Sequence, residues 1–127
     1  MFGTRAEWRA LCDADDMHVK RHDIAVRFAN DRSHTVRVQD LTDAYLVTAV
    51  VTHPEALAQV SELARKAWLR NRHSSLVGFR VDEDGYLLAQ AWTPKDGLTA
   101  NAFQAVVRAV AREADRYEFQ LTGTDDY

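Results

Sequence analysis

Two runs of alternating apolar residues, Leu76 to Val81 and Tyr86 to Trp92, are separated by Asp82-Glu83-Asp84-Gly85, and that spacing restricts the fold more than any other feature. A three-residue loop of Glu83, Asp84 and Gly85, with Gly85 left-handed, is a common turn with a bulge. It pairs Asp82 with Tyr86, Val81 with Leu87, Phe79 with Ala89 and Val77 with Ala91, so one face of the hairpin is apolar throughout. A two-residue Asp84-Gly85 loop would instead set Phe79 opposite Gln90 and waste a buried position. The acidic cluster is therefore read as a bend. A calcium loop is excluded by ligand count: with Gly85 at the sixth position, Arg80 falls at the first and Ala91 at the twelfth, where carboxylates belong.

The same alternation places Arg80, Asp82, Tyr86, Leu88, Gln90 and Trp92 on the opposite face. Upstream, Ile24, Val26 and Phe28 alternate with Ala25 and Arg27, and Val36 and Val38 alternate with Arg37 and Gln39. Turns are expected at Asn30-Asp31-Arg32-Ser33 and Leu41-Thr42-Asp43. Ala44 to Val51 (AYLVTAVV) is apolar on both sides, as suits a central strand or one at an interface.

Helices are signalled at three places. Thr4-Arg5-Ala6-Glu7 reads as a capping box ahead of Trp8, Leu11 and Cys12. Pro54 follows His53 at a helix start, and Leu57, Val60, Ala64 and Ala67, joined by Leu63 or Trp68, give an apolar stripe. Thr99 caps a last helix with Phe103, Val106, Val107, Val110, Ala114 and Tyr117 on one side. The predicted order is α-β-β-β-α-β-β-α, an α+β domain with helices on one face of an antiparallel sheet. With 127 residues and no Pro-, Gly- or Ser-rich linker, residues 1–127 read as a single domain.

A net charge of -3 gives no footprint for nucleic-acid binding. The basic ARKAWLRNR segment (Arg65, Lys66, Arg70, Arg72) resembles part of a double-stranded-RNA-binding module, but no Gly-Pro-His loop precedes it. One cysteine excludes an internal disulfide, and the N-terminus has no apolar leader, so the expected compartment is the cytoplasm and no membrane partner is expected.

No chemistry-bearing set stands out. His18 and His22 lack a third ligand in their neighbourhood, His34, His53 and His73 are scattered, and Arg72-His73-Ser74-Ser75 offers no orienting carboxylate. Neither phosphate-binding glycine motif occurs, Cys12 reads as a small core residue, and Asp125-Asp126 as solvated. Asp115-Arg116 reads as a structural pair, with Tyr117 and Phe119 packing the closing turn. No cofactor, metal or catalytic residue is expected.

From Pro54 onward the sequence resembles the YbjN family, which is related to the CesT-type chaperones of type III secretion. The residues that carry this are Leu76-Val77-Gly78-Phe79-Arg80-Val81-Asp82, Ala91-Trp92-Thr93-Pro94, Gly97-Leu98-Thr99-Ala100 and Ala114-Asp115-Arg116-Tyr117-Glu118-Phe119-Gln120-Leu121-Thr122-Gly123. The resemblance implies a secretion-chaperone-like fold, usually dimeric, that binds peptide or protein segments without catalysing a reaction. The sheet face itself nominates Arg27, Arg37, Arg80, Tyr86, Gln90 and Trp92 as partner-binding residues, since arginine and large aromatics are enriched at interfaces. A small regulatory domain sensing a metabolite is the alternative.

Overall fold

The computed structural model describes residues 7–57 and 76–122. Thr4 of the capping box, the helical positions Val60, Leu63, Ala64, Ala67 and Trp68, the basic Arg65, Lys66, Arg70 and Arg72, His73-Ser74-Ser75, Gly123 and Asp125-Asp126 lie outside the described residues.

A 3-10 turn at Trp8–Leu11 opens the described chain, followed by strands β1 (Met17–Lys20), β2 (Asp23–Arg27), β3 (Ser33–Asp40) and β4 (Ala44–Thr52). Helix α1 spans Pro54–Leu57, β5 (Gly78–Val81) and β6 (Leu87–Pro94) form a hairpin, and α2 (Ala100–Thr122) is the last described element. The six strands make one antiparallel sheet in the order β1-β2-β3-β4-β6-β5. The predicted order needs two corrections. The first helix is a single 3-10 turn, in which Glu7 itself takes the cap position and accepts from Arg9 N at 2.9 Å. Four strands rather than three precede α1, because Met17–Lys20 pairs with β2.

The DEDG hairpin has the predicted register: Phe79 lies opposite Ala89 and Val81 opposite Leu87. Gly85 is left-handed at φ +88, and the Asp82 carboxylate accepts from the backbone of both Asp84 and Tyr86 at 2.9 Å. The acidic run thus supplies the bend with its own hydrogen-bond acceptor. Val81 departs from expectation at the open end of this face, where it is 40% exposed. A Cβ on Gly85 would meet the Pro54 ring at 3.3 Å and occupy a backbone region that L side chains rarely adopt. Gly85→Ala is therefore expected to cost about 1–3 kcal/mol, read from thermal denaturation.

One face of the sheet carries the core. Ile24, Val26, Val36, Val38, Val47, Ala49, Phe79, Ala89 and Ala91 are buried there beneath the apolar side of α2, where Phe103, Val107, Val110, Ala111 and Ala114 are fully buried. Thr99 Oγ1 caps α2 by accepting from Ala102 N at 3.1 Å. Phe103 meets Tyr45 edge-on at 5.6 Å and Trp8 at 6.4 Å between ring centroids. Gln104 Nε2 donates to Leu11 O at 2.8 Å and so ties the 3-10 turn to the helix. Cys12 is buried, and burial pushes its thiol up to about 11, as an inert core cysteine requires.

Two expectations about the last helix are corrected. Asp115 pairs with Arg32 just ahead of β3, and Arg116 turns to Glu113 at 3.5 Å, so Asp115 and Arg116 do not pair. Tyr117 is buried edge-on against Phe79, whereas Phe119 points outward and is 53% exposed.

A second long-range tie joins α2 to the chain ahead of β1. Arg108 donates to both Asp16 oxygens at 2.8 and 2.9 Å. Chiefly through this hydrogen bond, the guanidinium holds the Asp16 carboxyl below the usual carboxylate range. A depressed folded-state value contributes stability above the unfolded carboxylate value of about 3.9. That contribution is lost as pH falls through the folded value. Asp16→Asn should therefore lower stability at neutral pH and flatten its decline below about pH 4. Both partners are a third or more exposed, so the effect is at most about 1 kcal/mol, measured by urea denaturation across pH.

Candidate binding face

The reverse face of the sheet is laid out by strand pairing. Three rows of outward side chains cross it. In the first, Gln39, Leu46 and Trp92 are neighbours on β3, β4 and β6. The second runs Lys20, Asp23, Arg37, Thr48 and Gln90 and ends at Gly78 on β5. In the third, Val50 is opposite Leu88, which is opposite Arg80.

The rows alternate in chemistry. Trp92 is 57% exposed, while Leu46 beside it is buried to 8%, so the indole is the apolar ridge of that corner. The middle row is polar. Arg37 Nε donates to Asp23 Oδ1 at 3.1 Å. Gly78 presents no side chain to Gln90, and Arg80 Nε fills the gap by donating to Gln90 Oε1 at 2.8 Å. Across the middle of the face, Thr35, Arg37, Thr48, Val50, Tyr86 and Leu88 line an open hollow of about 490 Å³. A second hollow of about 580 Å³ adjoins it, sharing Arg37 and Thr48 and reaching Trp8, Arg9 and Gln39.

Of the six residues nominated from sequence, Arg37, Arg80, Tyr86, Gln90 and Trp92 lie on these rows or line the hollow between them. Arg27 does not join them. It sits at the end of β2 opposite Ser33, with its guanidinium on Asp15 O at 3.1 Å. Three row steps, roughly 20 Å along the strands, separate it from Trp92. What sequence reasoning missed is the share of β4. Leu46, Thr48 and Val50 supply the middle of the face, yet AYLVTAVV is so apolar that its two sides could not be told apart.

His18, on β1, and His22, in the β1–β2 turn, are exposed at the sheet edge. Among the described residues, the one fully buried histidine is His34 on β3. Its signal was present: it stands two residues before Val36 on the strand side that faces the core.

No protein-family model matches the chain, and comparison with curated proteins gives no match. Solved structures do match in fold. The chain is similar to a chain of the heterodimeric ExoU–SpcU complex from the type III secretion system of Pseudomonas aeruginosa, with TM-score 0.61 and 16% identity over 92% of this chain and 97% of that one. It is similar to a chain of the ExsC–ExsE complex, with TM-score 0.61 and 19% identity over 93% and 90%. A chain of the HopA1–SchA chaperone–effector complex aligns with TM-score 0.52 and 12% identity over 92% and 88%. The fold is therefore of the secretion-chaperone kind. Among the described residues, no helix is long and apolar enough to cross a membrane.

Proposed function

We propose that this chain is a non-enzymatic, chaperone-like or adaptor module that binds an extended segment of another polypeptide, acts as a homodimer in the cytoplasm, and is related to the YbjN family. The observation that carries this reading is the reverse face of the sheet. An exposed indole and the apolar Leu46, Val50 and Leu88 lie beside Arg37, Arg80, Tyr86 and Gln90, on a rigid antiparallel frame. An extended peptide presents side chains alternately. Apolar ones would rest on Trp92 and around the central hollow, while carboxylates would take hydrogen bonds from Arg37 and Arg80. The fold likeness to chains of a type III secretion complex and of a chaperone–effector complex supports the same reading.

The test is to titrate an array of extended peptides against the wild type and the Arg80→Ala, Trp92→Ala double variant. Peptides bound by the wild type should be lost from the variant. Unchanged binding would remove this face from consideration.

A second reading, a domain that senses a small molecule, is favoured by the 490 Å³ hollow itself. Native mass spectrometry separates the two. A bare dimer supports the peptide binder, and a co-purifying small molecule supports the sensor.

A further inference from the structure

Away from the open face, three metal-ligating side chains converge between the sheet and α2. His34 comes from β3, and Asp115 and Glu118 stand one turn apart on α2. Their relative exposures are 0%, 6% and 1%, and one ligand atom from each lies within 4.8 Å of the others. We infer that His34, Asp115 and Glu118 form a buried binding site for a divalent transition-metal ion of the zinc type.

The surroundings orient the ligands as metal sites require. His34 Nε2 lies 2.7 Å from Val50 O. A carbonyl only accepts, so Nε2 carries a proton and donates it. In the neutral ring this leaves the Nδ1 lone pair facing the carboxylates, and a metal-bound histidine fixed by its second nitrogen on a backbone carbonyl has this arrangement. Arg32 donates to Asp115 Oδ2, which turns Oδ1 toward His34 Nδ1 at 3.9 Å. Oδ1 is buried and accepts no hydrogen bond among the described residues. An acceptor stranded in the interior is costly unless an ion or proton meets it.

Zinc bonds of about 2.0–2.2 Å to nitrogen and oxygen set neighbouring ligand atoms roughly 3.3 Å apart in a tetrahedron. The His34–Asp115 pair would close by about half an ångström to bind. One imidazole with two carboxylates suits zinc better than magnesium or calcium, which take oxygen ligands. Three protein ligands leave the fourth position for water. The ion's path is a hollow of about 410 Å³ that Asp115 lines together with Phe28, Arg32, Arg112, Arg116 and Phe119. The arginines at its mouth repel a cation, so uptake should be slow and should quicken with salt.

The test is calorimetric titration of the full chain with Zn2+, with Co2+ as the spectroscopic probe. The site predicts one ion per chain, a visible Co2+ spectrum of tetrahedral type and a higher melting temperature in zinc. His34→Gln and Glu118→Gln should abolish stoichiometric uptake. Arg32→Gln should weaken it 10–100-fold, as expected of a residue that only orients a ligand. A His18→Ala, His22→Ala double variant should bind as the wild type does. If a core variant fails to fold, the His34 ring nitrogens of the wild type decide: stoichiometric zinc must shift the Nδ1 resonance. No stoichiometric uptake by the wild type, uptake retained in His34→Gln and Glu118→Gln, or an unmoved His34 resonance would each overturn the site.

Discussion

Phe103→Ala is expected to destabilise the domain by about 3–5 kcal/mol, the cost of emptying a large aromatic site in a packed core. Phe103 is fully buried, and its ring stands between Tyr45 of β4 and Trp8 of the 3-10 turn. Three parts of the fold therefore lose contacts together. Its first-turn position on α2, close to the Thr99 cap, prevents the cavity from closing by fraying the helix end, because Gln104 remains bonded to Leu11 O. Urea denaturation should show a lower midpoint with an unchanged slope. A loss below about 1 kcal/mol, the range of an ordinary surface change, would mean that α2 does not seal the sheet there.

Trp92→Ala should have the opposite profile. The side chain is 57% exposed, so stability should change by no more than about 1 kcal/mol. Affinity for a bound peptide should fall by roughly 30-fold or more, corresponding to the loss of about 2 kcal/mol at a tryptophan hot spot. The face has few other large apolar side chains: its neighbour Leu46 is already buried to 8%, and Leu88 lies two rows away. Arg27→Ala serves as the control, since that guanidinium is held on Asp15 O at the far end of β2 and should leave affinity unchanged. Isothermal titration with a peptide selected from the array measures both. Equal affinity of Trp92→Ala and the wild type would take the indole out of the site.

The parts of this fold legible in sequence are those fixed by short-range pattern. The DEDG hairpin was readable because only one register keeps Phe79 opposite an apolar partner, and α2 because its apolar residues recur at helical spacing behind the Thr99 cap. Strand β1 escaped for a physical reason. Lys20 pairs with Asp23 across a two-residue turn whose first residue, Arg21, is left-handed at φ 58. Glycine or asparagine ordinarily marks such a turn, so Met17–Lys20 carried no hairpin signal. The ties of Arg32 to Asp115 and Arg108 to Asp16 span 83 and 92 residues. Local pattern holds no record of such partners, which is why adjacency alone points Asp115 to Arg116. The binding face was half legible. Alternation placed Arg37, Arg80, Tyr86, Gln90 and Trp92 outward, but only the strand order shows β4 between β3 and β6, which completes the surface with Leu46, Thr48 and Val50.

The most direct measurement is hydroxyl-radical footprinting of the protein with and without a saturating peptide ligand. Trp92, Tyr86 and Phe119 are the informative probes, at 57%, 36% and 53% exposed. Trp92 and Tyr86 lie on the open sheet face, and Phe119 on the helix. Binding across the open face predicts strong protection of Trp92 and Tyr86, with Phe119 oxidised at its free rate. Protection of Phe119 while Trp92 and Tyr86 react as before would contradict it.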